Sequence, residues 1–337
     1  MRETALASAT TPPAAAAPWP RVAAIVLNYN GRAVTLQALR SLSALDYPRF
    51  DLVVVDNGSS DGSAEAIRAA FPAVVVLRTE RNLGPAGGAN LGIRWALERG
   101  YDYLLILNND IEVDAGFLRE LVAAARSDAA VGIVGPKALY HGERDRIWSA
   151  GGRLSYREAI TRERGQRETD RGQYDRDVEV DYVNGCAMLV KREVFERAGL
   201  WDPVYQLCVE DADFCVRAKR LGYKCLYAHR ARLWHMVSSS TGGRGYVAPK
   251  TFHSARSTAI FARRHGGPLD RLRSILFVTA TLPLAFVREL VRGNQGAVVA
   301  KLRGFREGLR APLPDPPRWP PPPNPPNPPH PPHPDAP

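Results

Sequence analysis

Short apolar runs alternate with amphipathic segments over the first third of the chain. The apolar runs occupy residues 22–27, 52–55, 74–77 and 103–107. Such runs are typical of buried strands. Helical spacing of apolar residues marks the segments between them, at residues 32–45, 63–71 and 89–99. The alternation predicts an α/β fold in which helices flank a mostly parallel central sheet.

The middle of the chain is less regular. Residues 155–181 are densely charged, which predicts an exposed loop or hairpin inserted in the fold. Strand character returns at residues 182–190 and again at 224–228 and 231–235, and short helices are predicted at 194–200 and 211–221. We therefore assign residues 21–237 to one α/β domain.

The C-terminal third has a different character. Residues 275–287 are uncharged and apolar, but a bilayer span needs about 20 such residues, and Pro283 interrupts the run. This run is either an ordinary core helix or a helix that lies in a membrane interface. We assign residues 238–310 to a basic helical region. From Ala311 onward, 16 of the 28 prolines cluster, which predicts a disordered, extended tail over residues 311–337.

Composition and charge narrow the class of protein. The 337 residues are 45% hydrophobic, so most of the chain can bury a core. The net charge of +10 is concentrated after Met236, where 14 Lys and Arg face 5 Asp and Glu. A local basic region favours an anionic surface such as a membrane face as its partner. Nucleic acid is not predicted as a partner.

The cysteines and the N-terminus bear on location. The four cysteines form no C-x-x-C pair, so no zinc or redox motif is visible. Residues 1–20 are rich in Ala, Pro and Thr and lack the apolar core of a secretory signal. We interpret them as a disordered lead-in. We expect a cytoplasmic protein with reduced thiols, either free in the cytoplasm or peripheral on the membrane's cytoplasmic face.

Polar clusters follow the predicted strands, where α/β sheets bind their ligands. Asp56 opens a turn at residues 56–62, and its carboxylate suits either a nucleotide or the turn itself. A glycine-rich turn containing Asn82 and Gly84 precedes a helix and lets backbone approach a phosphate or nucleoside. The first strand ends in Asn28-Tyr29-Asn30-Gly31, so neither a P-loop nor a dinucleotide fingerprint is present.

Two further clusters suggest metal binding and base catalysis. Asn108-Asn109-Asp110 offers oxygen ligands that suit Mg²⁺ or Mn²⁺, or else forms a polar turn. Glu210-Asp211-Ala212-Asp213 opens a helix. Either the helix dipole simply favours acidic residues in this first turn, or one of them serves as a general base. His235 ends a later predicted strand.

In their order along the chain, these clusters resemble the family-2 glycosyltransferases of the GT-A fold, particularly the bacterial rhamnosyltransferase-like branch. The matching stretches are residues 22–31, 53–62, 104–110, 183–192, 199–202 and 210–217.

The resemblance implies roles on the donor side and at the metal. Asp56 would read the nucleoside base, in a pocket with Asn28, Asn30, Asn82 and Gly84. Asp110 would be the last position of the metal-binding Asp-x-Asp motif, whose first position here is Asn108, followed by Asn109. His235 would be a further ligand of a bound Mg²⁺ or Mn²⁺.

The same resemblance implies roles nearer the reaction centre. Asp211 would be the catalytic base. Gly185 would lie beside the donor sugar, where a side chain would intrude. Trp201, Asp202 and Glu210 would border the acceptor site.

The function implied is that of an inverting, metal-dependent hexosyltransferase in cell-envelope polysaccharide synthesis. It would move a sugar, with rhamnose the best guess, from a nucleoside-diphosphate donor to a glycan or lipid-linked acceptor. Two alternatives stay open. Asn108 and the proline-rich tail leave room for a non-catalytic nucleotide-sugar-binding or scaffold subunit of a glycan assembly complex. The second alternative is a sugar-1-phosphate nucleotidylyltransferase, a class that would require a basic, Gly-rich loop after the first strand.

Overall fold

The computed structural model describes residues 19–155, 160–237, 248–292 and 294–320. The predicted lead-in before Trp19, the Ser/Gly-rich stretch at 238–247 and the tail beyond Pro320 lie outside the described residues.

The first half of the chain forms four parallel strands joined by three helices, as predicted. The strands are β1 (Val22–Asn28), β2 (Phe50–Asp56), β3 (Val75–Arg78) and β4 (Tyr103–Asn108), and the helices are α1 (Arg32–Ser43), α2 (Ser63–Ala70) and α3 (Gly84–Glu98). β1 lies between β2 and β4 in parallel register. Apart from Leu27, the leucine, isoleucine and valine side chains of β1, β2 and β4 are almost wholly buried between helix layers, which is why these runs are continuously apolar. The side chains of β3 at the sheet edge are only partly buried.

The second half extends the same sheet with mixed strand directions. Its elements are β5 (Ile111–Val113), α4 (Phe117–Arg126), β6 (Val131–Tyr140), β7 (Glu143–Ser149), β8 (Gly152–Leu154), β9 (Thr161–Glu163), β10 (Val178–Val180), β11 (Ala187–Lys191), α5 (Arg192–Ala198), α6 (Glu210–Arg220) and β12 (Lys224–His235). The main sheet has the order β10-β12-β6-β11-β4-β1-β2-β3. On this path β11 and β10 are antiparallel to their neighbours, so the other six strands share one direction.

Two predictions in this half need correction. The two short strands predicted at 224–228 and 231–235 are one strand, β12, with a register shift between Ala228 and Arg232. The charged stretch at 155–181 is not wholly exposed. The buried side chain of Lys137 on β6 donates to Asp170 at 2.8 Å and also pairs with Asp175, so this insertion is anchored to the sheet.

The C-terminal region is three helices, and the first is part of the α/β domain. They are α7 (Ala248–His265), α8 (Pro268–Val291) and α9 (Gln295–Arg310). Ile260 and Phe261 of α7 are buried in the same hydrophobic cluster as β1 and α3. Among the described residues, no helix combines the length and apolarity that crossing a membrane requires.

The start of the predicted tail is docked rather than disordered. The Leu200 amide donates to the carbonyl oxygen of Pro317 at 2.7 Å, and Leu313 and Trp319 pack against the main core cluster. Proline-rich chain forms no core of its own, but its extended backbone can supply carbonyl acceptors and apolar rings to a neighbouring surface. The prediction of disorder from residue 311 was therefore wrong for residues 311–320.

Candidate functional site

A cleft of about 450 Å³ opens at the carboxyl ends of β1 and β4, a size typical of ligand sites. Two walls face each other across it. The strand wall comprises Asn57, Asn82, Gly84, Asn108 and Asn109, and the helix wall comprises Trp201, Glu210, Asp211 and His253. Gly185 lines the cleft as well. The cleft thus brings together eight of the residues predicted for the site, from five separate stretches of sequence.

Asn28 lies beneath the strand wall and ties three strand ends together. Its amide nitrogen donates to Asp56 Oδ1 at 3.1 Å, and its amide oxygen accepts from Thr35 at 2.8 Å and Asn109 at 3.1 Å. The side chain is fully buried. Asn28 was predicted to line the pocket, but its side chain lies below the cleft. There it sets the position of Asn109, which does line the cleft.

Asp56 and Asn30 also lie outside the lining of the cleft. Asp56 is fully buried, and its second carboxylate oxygen is 3.3 Å from Arg78 Nε. Asn30 has a backbone φ of 48° and accepts a hydrogen bond from the Ser60 amide at 2.8 Å. Both residues hold the turn that follows β2 against the turn that follows β1.

Asn57 was not singled out from the sequence, yet it organises the strand wall. Its amide oxygen accepts from the Leu83 amide at 3.0 Å, and its amide nitrogen donates to the Asn82 side chain and the Gly84 carbonyl, both at 3.1 Å. Gly84 has a φ of +73°, a conformation that favours glycine. Asn57 thereby shapes the predicted glycine-rich turn, and its place directly after Asp56 was the signal available.

Asp110 and His235, 125 residues apart, meet beside the cleft. Asp110 Oδ1 and His235 Nε2 are 3.1 Å apart, and both side chains are buried. Antiparallel pairing of β5 with β12 brings them together, since Ile111 pairs with His235. The ring of His235 also packs edge-on against Trp148, with centroids 4.5 Å apart.

This pair suits a divalent cation that shares its coordination sphere with a substrate diphosphate. Mg²⁺ in such sites takes one or two protein ligands and fills the rest with phosphate oxygens and water. No group of three His, Cys, Asp or Glu side chains in the described residues forms a metal cage. A carboxylate and an imidazole are together the donor set that Mn²⁺ accepts, so the residues fit the predicted ion.

Asp211 lies at the start of α6 with its carboxylate oriented by backbone amides. Its Oδ2 accepts from the Gly185 amide at 2.7 Å and its Oδ1 from the Ala212 amide at 2.7 Å. Burial raises its pKa, although these hydrogen bonds oppose the rise. A Cβ on residue 185 would meet Trp201 at 3.3 Å and Asp211 at 3.4 Å, so glycine there keeps the space before Asp211 open.

Glu210 is the neighbour of Asp211 on the helix wall. Burial and, next, repulsion by Asp211 raise the pKa of Glu210 to about 8. Its Oε2 has no hydrogen-bond partner. Just before it, Cys208 and Val209 have φ of 66° and 74°, which is unusual for side chains of their kind and marks a strained approach to the helix.

Asp202 is not at the cleft, contrary to its predicted place beside the acceptor. It is 2% exposed and forms a short ion pair with Arg264 of α7. Arg264 and His265 also contact Asp213, which accepts from Arg217 Nε at 2.8 Å. These residues form a buried ionic network that joins α6 to α7.

Three more residues near the site escaped sequence reasoning. Glu163 of the charged insertion accepts from Tyr182 at 2.6 Å and from Asn184 at 3.0 Å. Asn184 lines the cleft next to Gly185. His253 of α7 enters the helix wall. No local motif marks Glu163 or His253, because the insertion and α7 reach the site only through the tertiary fold. Asn184 lies in the matching stretch at residues 183–192, and its place directly before Gly185 was the signal available.

The fold and the site together define a class. A mostly parallel sheet flanked by helices, with a polar cleft at its strand ends, is the arrangement of the GT-A fold. A mannosyltransferase from Pyrobaculum calidifontis, solved in complex with GDP-Man and Mn²⁺, shares this fold. The TM-score is 0.55 at 18% identity, over 87% of this chain and 91% of that one.

The chain belongs to glycosyl transferase family 2, whose model matches residues 23–199. It is a glycosyltransferase that takes its sugar from a nucleotide sugar. One relative is an N-acetylglucosaminyl-diphospho-decaprenol L-rhamnosyltransferase of Mycobacterium tuberculosis, 25% identical over 250 residues, or 68% of this chain and 80% of the relative. Another is the dTDP-rhamnosyl transferase RfbF of Shigella flexneri, 22% identical over 306 residues, or 84% and 95% of the two chains.

Proposed function

We propose that this glycosyltransferase is an inverting hexosyltransferase that transfers rhamnose from a deoxythymidine-diphosphate donor to a glycan carried on a lipid diphosphate. The donor and the acceptor class follow the names of the two rhamnosyltransferase relatives. The product would serve cell-envelope polysaccharide synthesis.

The orientation of Asp211 is the observation that supports this reaction best. Two backbone amides hold its carboxylate at the cleft, and the missing side chain at residue 185 leaves room before it. A carboxylate whose pKa is raised by burial is a better proton acceptor near neutral pH. Asp211 accepts the proton of the acceptor hydroxyl as its oxygen attacks the anomeric carbon from the face opposite the leaving diphosphate. A single displacement of this kind inverts the anomeric configuration.

We further propose that Asp110 and His235 hold a divalent cation. When bound, such an ion stabilises the negative charge that grows on the departing nucleoside diphosphate. Asn108 and Asn109, beside Asp110 on the strand wall, offer neutral amide groups to the donor. The strand wall positions the nucleotide, and Gly185 admits the donor sugar.

The proposed reaction is tested by ligand binding and then by product analysis. The full chain is titrated with nucleoside-diphosphate sugars, with and without Mn²⁺, while thermal unfolding is followed. A ligand at a hundredfold excess over its Kd stabilises the folded state by about 2.7 kcal/mol. We expect the largest Mn²⁺-dependent shift with dTDP-rhamnose, and a product of inverted configuration by NMR. No shift with any nucleotide would contradict the donor site, and a retained configuration would contradict the single displacement.

We also propose that α8 places the enzyme on an anionic membrane surface. Leu276, Leu284 and Val291 are 58%, 75% and 84% exposed along this helix, and Arg273 and Arg288 lie on the same helix. An exposed apolar surface with nearby arginines suits the interface of an anionic bilayer. The basic balance of the C-terminal third acts in the same direction.

Vesicle sedimentation tests this placement. The full chain should sediment with vesicles that contain phosphatidylglycerol and less with pure phosphatidylcholine. Leu284→Glu combined with Val291→Glu should abolish sedimentation, whereas Leu221→Glu, at an exposed leucine after α6, should not. Equal sedimentation of all three proteins would overturn the role of α8.

A further inference from the structure

Three buried polar atoms on the helix wall have no hydrogen-bond partner. They are Trp201 Nε1, Glu210 Oε2 and His253 Nδ1, and all three side chains line the same cleft as Asp211. Buried polar groups in native proteins are almost always paired, because leaving one unpaired costs about 1–3 kcal/mol. Three such atoms in one cavity indicate a ligand whose own polar groups complete these bonds.

The helix wall is held rigidly from behind by α7. Arg256 donates to the Val204 carbonyl at 2.7 Å and Ser257 to the Leu207 carbonyl at 2.9 Å. These bonds fix the segment that leads to Glu210 and Asp211. His253 lies on α7 as well, one helical turn before Arg256 and Ser257. The three unpaired atoms therefore have fixed places relative to Asp211.

The chemistry of the three groups suits hydroxyls. The indole nitrogen of Trp201 is a donor only, whereas a carboxyl group accepts and a neutral imidazole does either. Burial lowers the pKa of His253, and the nearby positive charge of Arg256 contributes a smaller part of this decrease. The ring is therefore neutral near pH 7. A sugar presents hydroxyls that both donate and accept, so one sugar can complete all three bonds.

The charge of the cleft limits which sugar can bind there. No Lys or Arg of the described residues lines the cleft, while Glu210 and Asp211 both do. A carboxylate or phosphate on the bound sugar would meet these two carboxyl groups and no cationic side chain of the lining. The helix wall therefore favours an uncharged sugar.

We propose that His253, together with Trp201 and Glu210, forms the subsite for the reacting sugar of the acceptor, and that this subsite selects an uncharged sugar over a uronic acid. The proposal rests on the proposed transferase reaction and adds to it a residue from the C-terminal helices. His253 acts here as a binding residue that determines acceptor specificity.

The first test separates the acceptor from the donor. His253→Ala should raise the KM for octyl N-acetylglucosaminide about tenfold, the loss expected for one hydrogen bond of about 1.4 kcal/mol. It should leave the KM for dTDP-rhamnose and its Mn²⁺-dependent hydrolysis without acceptor within twofold of wild type. His253→Gln, which keeps a donor and an acceptor, should restore part of the loss. His229→Ala, whose ring pairs with Asp177 on an exposed surface, is the matched control.

A second test needs no turnover and so stands if the proposed reaction fails. The thermal stability of the full chain is measured with octyl glucoside and octyl glucuronide below their micellar concentrations. Wild type should bind the glucoside at least fivefold more tightly than the glucuronide. Trp201→Phe, which removes the indole donor and keeps a smaller aromatic ring, should weaken glucoside binding.

The outcomes are distinct. Absent donor hydrolysis in wild type would overturn the proposed reaction, while the glycoside titration would still decide the subsite. Equal binding of the glucuronide, an unchanged acceptor KM in His253→Ala, or a raised donor KM in that variant would each overturn the acceptor subsite.

Discussion

The two walls of the cleft are built in opposite ways. On the strand wall, asparagine side chains bond to one another and to nearby backbone. Asn57 and Asn109, with Asn28 beneath them, satisfy their polar groups within the protein. On the helix wall, Trp201, Glu210 and His253 each keep an unpaired buried atom. These asparagines are paired without a ligand, whereas the proposed acceptor would complete the bonds of the helix wall.

This difference has a physical origin. The strand wall is made from turns that follow adjacent parallel strands, so its polar groups lie within reach of one another. The helix wall combines α6 with α7, which approach each other through the ionic network behind them. We infer that a rigid donor site and a ligand-completed acceptor site coexist in one cleft, and five predictions test that contrast.

The largest effect is expected at Asp211. Asp211→Asn keeps the shape and one acceptor for the Gly185 amide but removes the base, and general-base assistance is worth roughly 10²–10⁴-fold in rate. Transfer should fall by that factor, while the Mn²⁺-dependent stabilisation by the donor diphosphate stays intact. Asp128→Asn, at an exposed residue paired with Lys224, serves as the control. Near-normal transfer by Asp211→Asn would remove Asp211 from the mechanism.

The next effect concerns the network behind the helix wall. Asp213→Ala leaves Arg217, Arg264 and His265 without their shared partner, and breaking a buried ion pair costs about 3–5 kcal/mol. Urea unfolding should show a loss of this order at pH 7. Asp128→Ala should leave the free energy of unfolding almost unchanged, because its pair is exposed.

The same network has a predictable response to acid. Burial alone would raise the pKa of Asp213, but the hydrogen bond from His265 and the charge of Arg217 outweigh burial and lower it to about 2. A lowered pKa means that Asp213 stabilises the fold above its ordinary pKa near 4 and loses this contribution as pH falls toward 2. A stability difference between wild type and Asp213→Ala that persists unchanged down to pH 2 would contradict this account.

A smaller effect is expected on the strand wall. Asn57→Ala releases the turn that carries Asn82 and Gly84, since hydrogen bonds to Leu83, Asn82 and Gly84 are lost. The donor KM should rise about tenfold and the free energy of unfolding fall by about 1–3 kcal/mol. The acceptor KM should not change, which is the reverse of the pattern for His253→Ala. The same kinetic pattern in both variants would break the distinction between the walls.

The smallest effect concerns Glu210 and pH. Because burial and Asp211 raise its pKa to about 8, the stability associated with the neutral form is present below the ordinary pKa of 4.5 and lost as pH rises toward 8. Glu210→Gln should be more stable than wild type at pH 8 by about 1–2 kcal/mol. This is less than the full pKa shift would give, because the carboxyl group partly faces the cleft and solvent screens its charge. The two should converge at pH 5. The exposed control Glu196→Gln should differ from wild type by the same free energy of unfolding at every pH. A pH-independent difference for Glu210→Gln would refute the pKa shift.

The strand half of the molecule was readable from local sequence. Continuous apolar runs marked β1, β2 and β4, and the polar residues directly after them marked the cleft, because parallel strands end at one edge of a sheet. The strand β6 was not predicted although it is wholly buried, since its Gly135 and Pro136 interrupt the apolar run. Asp202 was misplaced because it adjoins Trp201 in sequence while its side chain faces Arg264.

The sequence by itself determined the α/β order of the first half, the family resemblance and eight of the residues that line the cleft, because these depend on periodicity and on contacts between consecutive elements. Only the tertiary structure decided that Lys137 anchors the charged insertion, that residues 311–320 dock beside Leu200, and that α7 brings His253 into the helix wall. Each of these contacts joins segments far apart in the chain, and its energy comes from burial of polar groups against specific partners. No local pattern in the chain records which partners those are.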